Sequence, residues 1–388
     1  MRPGVEDIIK REIELMFGRR ITSSRDCIQL SEEIFRITHA QLSHNTIRRF
    51  YGLVKTDYSP SHATIQILCN YCGFLSVEDV ENYRLEKNSF TDSQEQKSLL
   101  NYLVNLFSES PVEDKINETF KSVVKQTILF LNHHPGLVEK FQSMVAKTKK
   151  GQDNYFESFV NIDRLHSFYG NGLRYYLNEK RGPEAQVFGN SLLVFRYWLT
   201  EDDLSLEHHF RLVNIHSLYS STGSWSQSRY FASLLYYEHA KDISSTNTIA
   251  SIQEYYTGHS KNVVVPAQFE ITVAEALILT GNFEEGLFYT AKAVDKIRHL
   301  EVLEDSDLQN AYLLEAFGLY RTCVLDGARK VYHLIRPSAF NFLSKKLYTI
   351  LYGILTDALV KNVDEPGEQA ALLIRETAFT RLNRLRKL

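Results

Sequence analysis

Residues 42 to 52, LSHNTIRRFYG, carry the side chains of this chain best suited to bind another molecule. Arg48 and Arg49 can each donate two parallel hydrogen bonds to guanine or to a phosphate, and Asn45 can do the same to adenine. Ser43, His44 and Thr46 add small polar groups at the start of a helix, where phosphate contacts are common. From Ile34 to Thr56 there is no Asp or Glu, while Arg36, Arg48, Arg49 and Lys55 add positive charge. Arg19, Arg20 and Arg25 form a second basic group upstream. The chemistry is that of a DNA-contacting surface. It reads from Ser43, His44, Asn45, Thr46, Arg48 and Arg49, with phosphate help from Lys55 and Arg25.

Other groupings are weaker. Cys69-x-x-Cys72 lacks the second pair or histidines of a zinc site, and both cysteines fall on the apolar face of a helix, so core packing is expected. His133-His134 and His208-His209 are adjacent pairs. Neighbours on a helix diverge by about 100°, which makes them poor joint ligands. Gly170-Asn171-Gly172 is too short to cradle a phosphate. Asp202-Asp203 reads as an exposed acidic turn. None of the H-E-x-x-H, G-x-S-x-G or G-x-x-x-x-G-K-S/T patterns occurs, so no active site, cofactor or metal is expected.

The elements that position these groups are helices. In FKSVVKQTILFLNHH (120–134) apolar residues recur at helical spacing, and in LYTILYGILTDALV (347–360) they nearly encircle the helix. Alternating strands are almost absent, and NVVVP (262–266) is short and ends in proline. The expected class is all-α. The polar stretch EKNSFTDSQEQKS (86–98) divides residues 1–88 from 89–388, and KTKKGQDN (147–154) reads as a loop or hinge. In the first block, Asp26 is a candidate cap for a helix with Ile28, Leu30 and Ile34. Ser43 can cap a second helix whose inner face is Ile47 and Phe50. Ser59 and Pro60 suit the start of a third, closed by Gly73.

Length and composition fit a soluble protein of two or three domains. The chain has 388 residues, 44% hydrophobic and 23% charged, with a formal net charge of -3. Any nucleic-acid surface must therefore be local. Four scattered cysteines suggest a reducing compartment, and no leader or membrane span is visible. A cytoplasmic protein that does not enter membranes is expected.

The first block resembles the helix-turn-helix domains of the Xre-like, phage-repressor class. Those domains read S-x-x-T-I at the recognition helix and P-S-x-x-T-L-x-x-L-A-x-x-L-G just after it. Here the matches are Ser43, Thr46 and Ile47, then Pro60, Ser61, Thr64, Ile65, Leu68, Cys69, Cys72 and Gly73. It is similar in particular to a Bacteroidetes group in which SEEIF precedes an LSxNTIRRFYG-like run. The link before Ser43 is longer than the usual tight turn, and Gln41 stands where the class often has glycine.

Residues 271–297, ITVAEALILTGNFEEGLFYTAKAVDKI, resemble a tetratricopeptide repeat. Ala274 and Ala293 hold small positions, Gly281 the turn and Gly286 the tight crossing. A weaker copy about 42 residues on has Ala316, Leu319, Ala328 and Tyr332, with Cys323 in place of the turn glycine. A third trace carries Gly223, Trp225 and Ser228. Before it, two helices are expected around Gly182-Pro183. The whole reads as a small helix-turn-helix bundle followed by an α-solenoid of helix hairpins.

The resemblance implies a DNA-binding transcriptional regulator, similar to peptide-sensing regulators that join the two modules. Its partners would be double-stranded DNA, a peptide or protein ligand in the repeat groove, and a second copy of itself. The other reading is a non-enzymatic scaffold that does not touch DNA. Most of the many Tyr and Phe rings are expected to fill helix contacts rather than line a groove.

Overall fold

A computed structural model of the chain describes residues 5–17, 20–38, 40–54, 60–72, 74, 77, 80, 94–108, 118–132, 134–217, 224–259, 267–299, 305–360 and 364–387. Every regular element among them is helical. The protein is all-α, in two compact units, Met1–Met144 and Val145–Leu388. The expected division at 88/89 and the NVVVP run lie outside the described residues. No described helix is long and apolar enough to cross a membrane.

The first unit begins with a small bundle of α1 (Val5–Phe17), α2 (Ser24–Thr38), α3 (His44–Phe50) and α4 (His62–Tyr71). Each helix contributes one apolar stripe. Val5, Ile9 and Ile13 come from α1, and Cys27, Leu30 and Ile34 from α2. Ile47 and Phe50 come from α3, and Ile65, Leu68, Cys69 and Tyr71 from α4, all joined in one core. Ile28 is exposed instead. Cys69 is fully buried and Cys72 packs against the same core.

Two helix starts differ from expectation for one reason. Ser23, not Asp26, opens α2: the Ser23 hydroxyl accepts from the Asp26 N–H, and the Asp26 carboxylate accepts from the Ser23 N–H at 2.8 Å. This reciprocal pair is a capping box. Ser61 caps α4, accepting from the Thr64 N–H at 3.2 Å, so Pro60 precedes the cap and Ser59 lies outside the described residues. After this bundle come α5 (Gln94–Ser108), α6 (Glu118–Asn132) and α7 (Pro135–Val145). Phe107 meets Phe141 edge-on, and Arg11 of α1 pairs with Glu139 of α7 at 2.6 Å.

In the second unit the polar stretch at 147–154 is wound rather than a loop. The Thr148 hydroxyl caps Gly151, and a π-helical turn runs Gln152–Glu157. There follow α8 (Phe168–Glu179), α9 (Pro183–Leu199), α10 (Asp203–Ser217), α11 (Ser224–Ala240), α12 (Thr246–His259), α13 (Gln268–Leu279), α14 (Phe283–Arg298), α15 (Asp305–Arg321), α16 (Leu325–Tyr332), α17 (Lys345–Leu359), α18 (Asp364–Thr377) and α19 (Leu382–Lys387). Gly182 and Pro183 separate α8 from α9 as expected, with Pro183 in the first turn.

The hairpins repeat. Glu201, Asp242, Gly281 and Cys323 each hold a left-handed backbone between two helices, with φ of 57°, 53°, 87° and 64°. They fall roughly 40 residues apart, a length common to two-helix repeats. In every case the next residue donates its N–H to the carbonyl five residues back: Asp202 to Tyr197, Ile243 to Glu238, Asn282 to Leu277, and Val324 to Leu319. That is one helix-ending turn used four times. The third trace therefore shifts by one helix. Its turn is Asp242, α11 is the first helix of its hairpin, and Gly223 lies outside the described residues.

The first helices of successive hairpins, α9, α11, α13, α15 and α17, stack on one another. Gly286 lets α14 close on α13, since a Cβ there would stand 2.7 Å from Ile278 Cδ1. Gly318 of α15 meets the same Ile278. Rings fill the seams: Phe195 stacks on Tyr236 at 4.7 Å, and Tyr255 on Phe269 at 5.5 Å.

Candidate nucleic-acid interface

The polar face of α3 is held out by its apolar one. Ile47 and Phe50 are buried, and Leu42, just before the cap, is buried with them. Leu42 and Ile47 bracket the helix start as a hydrophobic staple. The Ser31 hydroxyl of α2 donates to the Leu42 carbonyl at 2.5 Å, which fixes where the longer link delivers the chain. Ser43 then caps α3, accepting from the Thr46 N–H at 3.1 Å, and its hydroxyl also bonds the Thr46 hydroxyl at 2.9 Å. Gly52, at φ 71°, ends the helix, with the Leu53 N–H donating to the Arg48 carbonyl. The Tyr51 hydroxyl donates to the Lys10 carbonyl at 3.2 Å and ties α3 to α1.

Ser43, His44, Asn45 and Arg49 are exposed, and Thr46 and Arg48 are half-buried. Ser43 and Thr46 spend their hydroxyls on each other, so they shape the helix first. Arg48 Nη1 donates to Asn45 Oδ1 at 3.2 Å, while Arg48 Nε is buried without a hydrogen-bond partner. Arg48 also lies close enough to Cys27 to oppose the upward push that burial and Asp26 give that thiol. Among the described residues, no carboxylate pairs with Arg48 or Arg49. Arg25 is exposed in the first turn of α2, and Lys55 lies outside the described residues. Lys10, not anticipated from sequence, stands over the Phe50 ring at 5.3 Å. Its signal would have been the Val5, Ile9, Ile13 period that marks α1.

The weaker candidates take structural roles. Burial raises the Cys72 thiol well above its ordinary value, which disfavours the thiolate that metals and redox chemistry require. His209 stacks on Tyr197, bonds Asn190 through Nδ1 at 2.9 Å, and burial lowers its pKa to about 3. His134 stacks on Phe130, and His133 lies outside the described residues. Gly170 sits where a Cβ would come within 1.9 Å of the Leu165 carbonyl oxygen, and Asn171 Oδ1 accepts from Arg196 at 2.8 Å. The Gly-Asn-Gly run is a close helix contact. Asp202 caps α10 through the Ser205 N–H, and Asp203 pairs with Arg381 at 3.2 Å. Among the described residues, no group of three His, Cys, Asp or Glu side chains could hold a metal ion.

Buried polar side chains also join helices of the array that are not neighbours. The Tyr348 hydroxyl of α17 donates to Glu275 of α13 at 2.7 Å, reaching past α15, and both are buried. After burial, the Glu275 carboxylate raises both the Tyr348 and the Tyr236 hydroxyls, which places α11 at the same centre. The two ends of the array also meet. The Asp163 carboxylate accepts from the N–H groups of Lys346 and Leu347, and Arg381 binds the end of α9.

The fold and this face define an all-α protein in which a small bundle presenting a cationic helix precedes an array of helix hairpins. No family model, no curated protein and no solved structure matches the chain.

Proposed function

We propose that the protein is a DNA-binding transcriptional regulator. Its N-terminal bundle would dock on double-stranded DNA through His44, Asn45, Arg48 and Arg49, with Arg25 and Lys55 on phosphates and Ser43 and Thr46 shaping the helix. The hairpin array would dimerise or receive a peptide or protein signal. A dimer fits because one small module reads few base pairs.

One observation carries this reading. The guanidinium groups of Arg48 and Arg49 sit on a helix anchored by Ile47 and Phe50, and no described carboxylate neutralises them. Arg211 and Glu207, by contrast, pair at a spacing of four residues on their helix. The test is capture of pooled genomic duplex fragments by the full chain at low salt. Wild type is expected to retain fragments, and the Arg48→Ala, Arg49→Ala double variant to lose them while melting cooperatively.

A second reading, a non-enzymatic protein-docking scaffold, rests on α2. Ile28 and Phe35 on that helix are 44% and 53% exposed, an apolar pair suited to another protein. Absence of retained DNA from wild type would favour it.

A further inference from the structure

Asn45 and Arg48 stand one helical turn apart and are joined by a hydrogen bond from Arg48 Nη1 to Asn45 Oδ1, 3.2 Å long. That bond changes what the two side chains offer outward. A free asparagine presents an acceptor beside a donor, which complements N7 and the amino group of adenine. Here one of the two lone pairs of Asn45 Oδ1 is engaged with Arg48, which turns the carboxamide toward the guanidinium. The other terminal hydrogens of the Arg48 guanidinium remain available, and all of them are donors. The Nε side of that guanidinium is buried, so only its Nη edge is available for a two-point contact.

The two-donor Nη edge of Arg48 complements guanine, the base whose major-groove edge offers O6 and N7 as two adjacent acceptors. A phosphate also accepts such donors but carries no base identity. Resting on the DNA-binding reading above, we infer that Asn45 is a positioning residue that holds Arg48 to read guanine, rather than a reader of adenine. Arg48 makes the base contact, and Asn45 fixes the plane of its guanidinium. Arg49, one residue on and with no such tether among the described residues, serves the backbone.

The test is selection from a random-sequence duplex pool by the full-length protein, wild type beside Asn45→Ala. Asn45 is exposed, so its removal leaves the core untouched. Wild type is expected to enrich guanine at one position of each half-site. Asn45→Ala is expected to lose about tenfold of that preference, the size of one two-point contact, while melting cooperatively like wild type. Three results overturn the inference and leave DNA binding standing: adenine enriched where guanine is expected, guanine preference unchanged in Asn45→Ala, or wild-type binding with no base preference. Failure of wild type to bind any duplex removes the DNA-binding reading itself, and this inference with it.

Discussion

Arg381 donates through Nε to the carbonyl oxygen of Trp198, 2.6 Å away and 183 residues earlier in the chain. Its guanidinium also lies over the Trp198 ring and pairs with Asp203. Close by, Arg384 pairs with Glu201 at 2.6 Å. These contacts fasten the C-terminal turn of the repeat unit to its first hairpin. Arg381→Ala strips a buried carbonyl of its donor and removes a packed side chain, and should cost about 3 kcal/mol of stability by denaturant titration. Arg381→Lys, which keeps charge but not the planar fork, should recover less than half of that loss. A change near zero in the alanine variant would mean the two ends hold together without this residue.

The four left-handed turns invite a substitution in the stabilising direction. Cys323 has φ 64° and an exposed side chain, so its Cβ brings strain with little compensating contact. Cys323→Gly should raise stability by about 1 kcal/mol. Gly281→Ala, at φ 87°, should lower it by a similar amount. Differential scanning calorimetry would show melting shifts of opposite sign; shifts of the same sign would contradict the shared turn.

Gly170 makes a sharp steric demand, with backbone rather than a flexible side chain 1.9 Å from where a Cβ would stand. Gly170→Ala should destabilise by about 3 kcal/mol, at the upper end for overpacking. A variant that melts like wild type would show that α8 can shift at no cost.

Asp163 gives a pH signature. Burial, its largest influence, raises its carboxyl to about 6, although backbone N–H groups at the start of α17 pull the other way. A raised carboxyl means the folded state holds a proton that the unfolded chain has released. Its contribution to stability is therefore full below about 3.8, the ordinary value, and is lost as pH rises to about 6. Asp163→Asn removes that dependence. The stability of wild type minus that of the variant should fall between pH 4 and pH 6 and stay level above pH 7. A difference that rises over that interval would reverse the sign and refute the assignment.

How much of this was legible from sequence depends on distance along the chain. Ser43 as a cap, and Ile47 and Phe50 as the inner face of α3, follow from spacings of a few residues. So does the Gly281 turn with its crossing at Gly286. The full repeat was not legible, because the left-handed position carries Glu201, Asp242, Gly281 and Cys323 in turn, and only the backbone is common to them. The helix starts at Ser23 and Ser61 turned on which serine has a partner three residues on, Asp26 or Thr64. The tether between Asn45 and Arg48 was within reach of a three-residue spacing, but a sequence does not show which rotamer a guanidinium adopts. The contacts of Asp163 with Lys346, and of Arg381 with Trp198, join segments that no local pattern links.

The central claim is that α3 presents an unneutralised cationic face to DNA. Its most direct test is the salt dependence of binding to duplex DNA, measured for wild type and for the Arg48→Ala, Arg49→Ala variant. Log K for wild type is expected to fall steeply with log salt concentration, and any residual binding by the variant to show a slope smaller by about 2, one for each charge removed. Wild-type affinity that is absent at low salt, or a slope the same in both proteins, would contradict it.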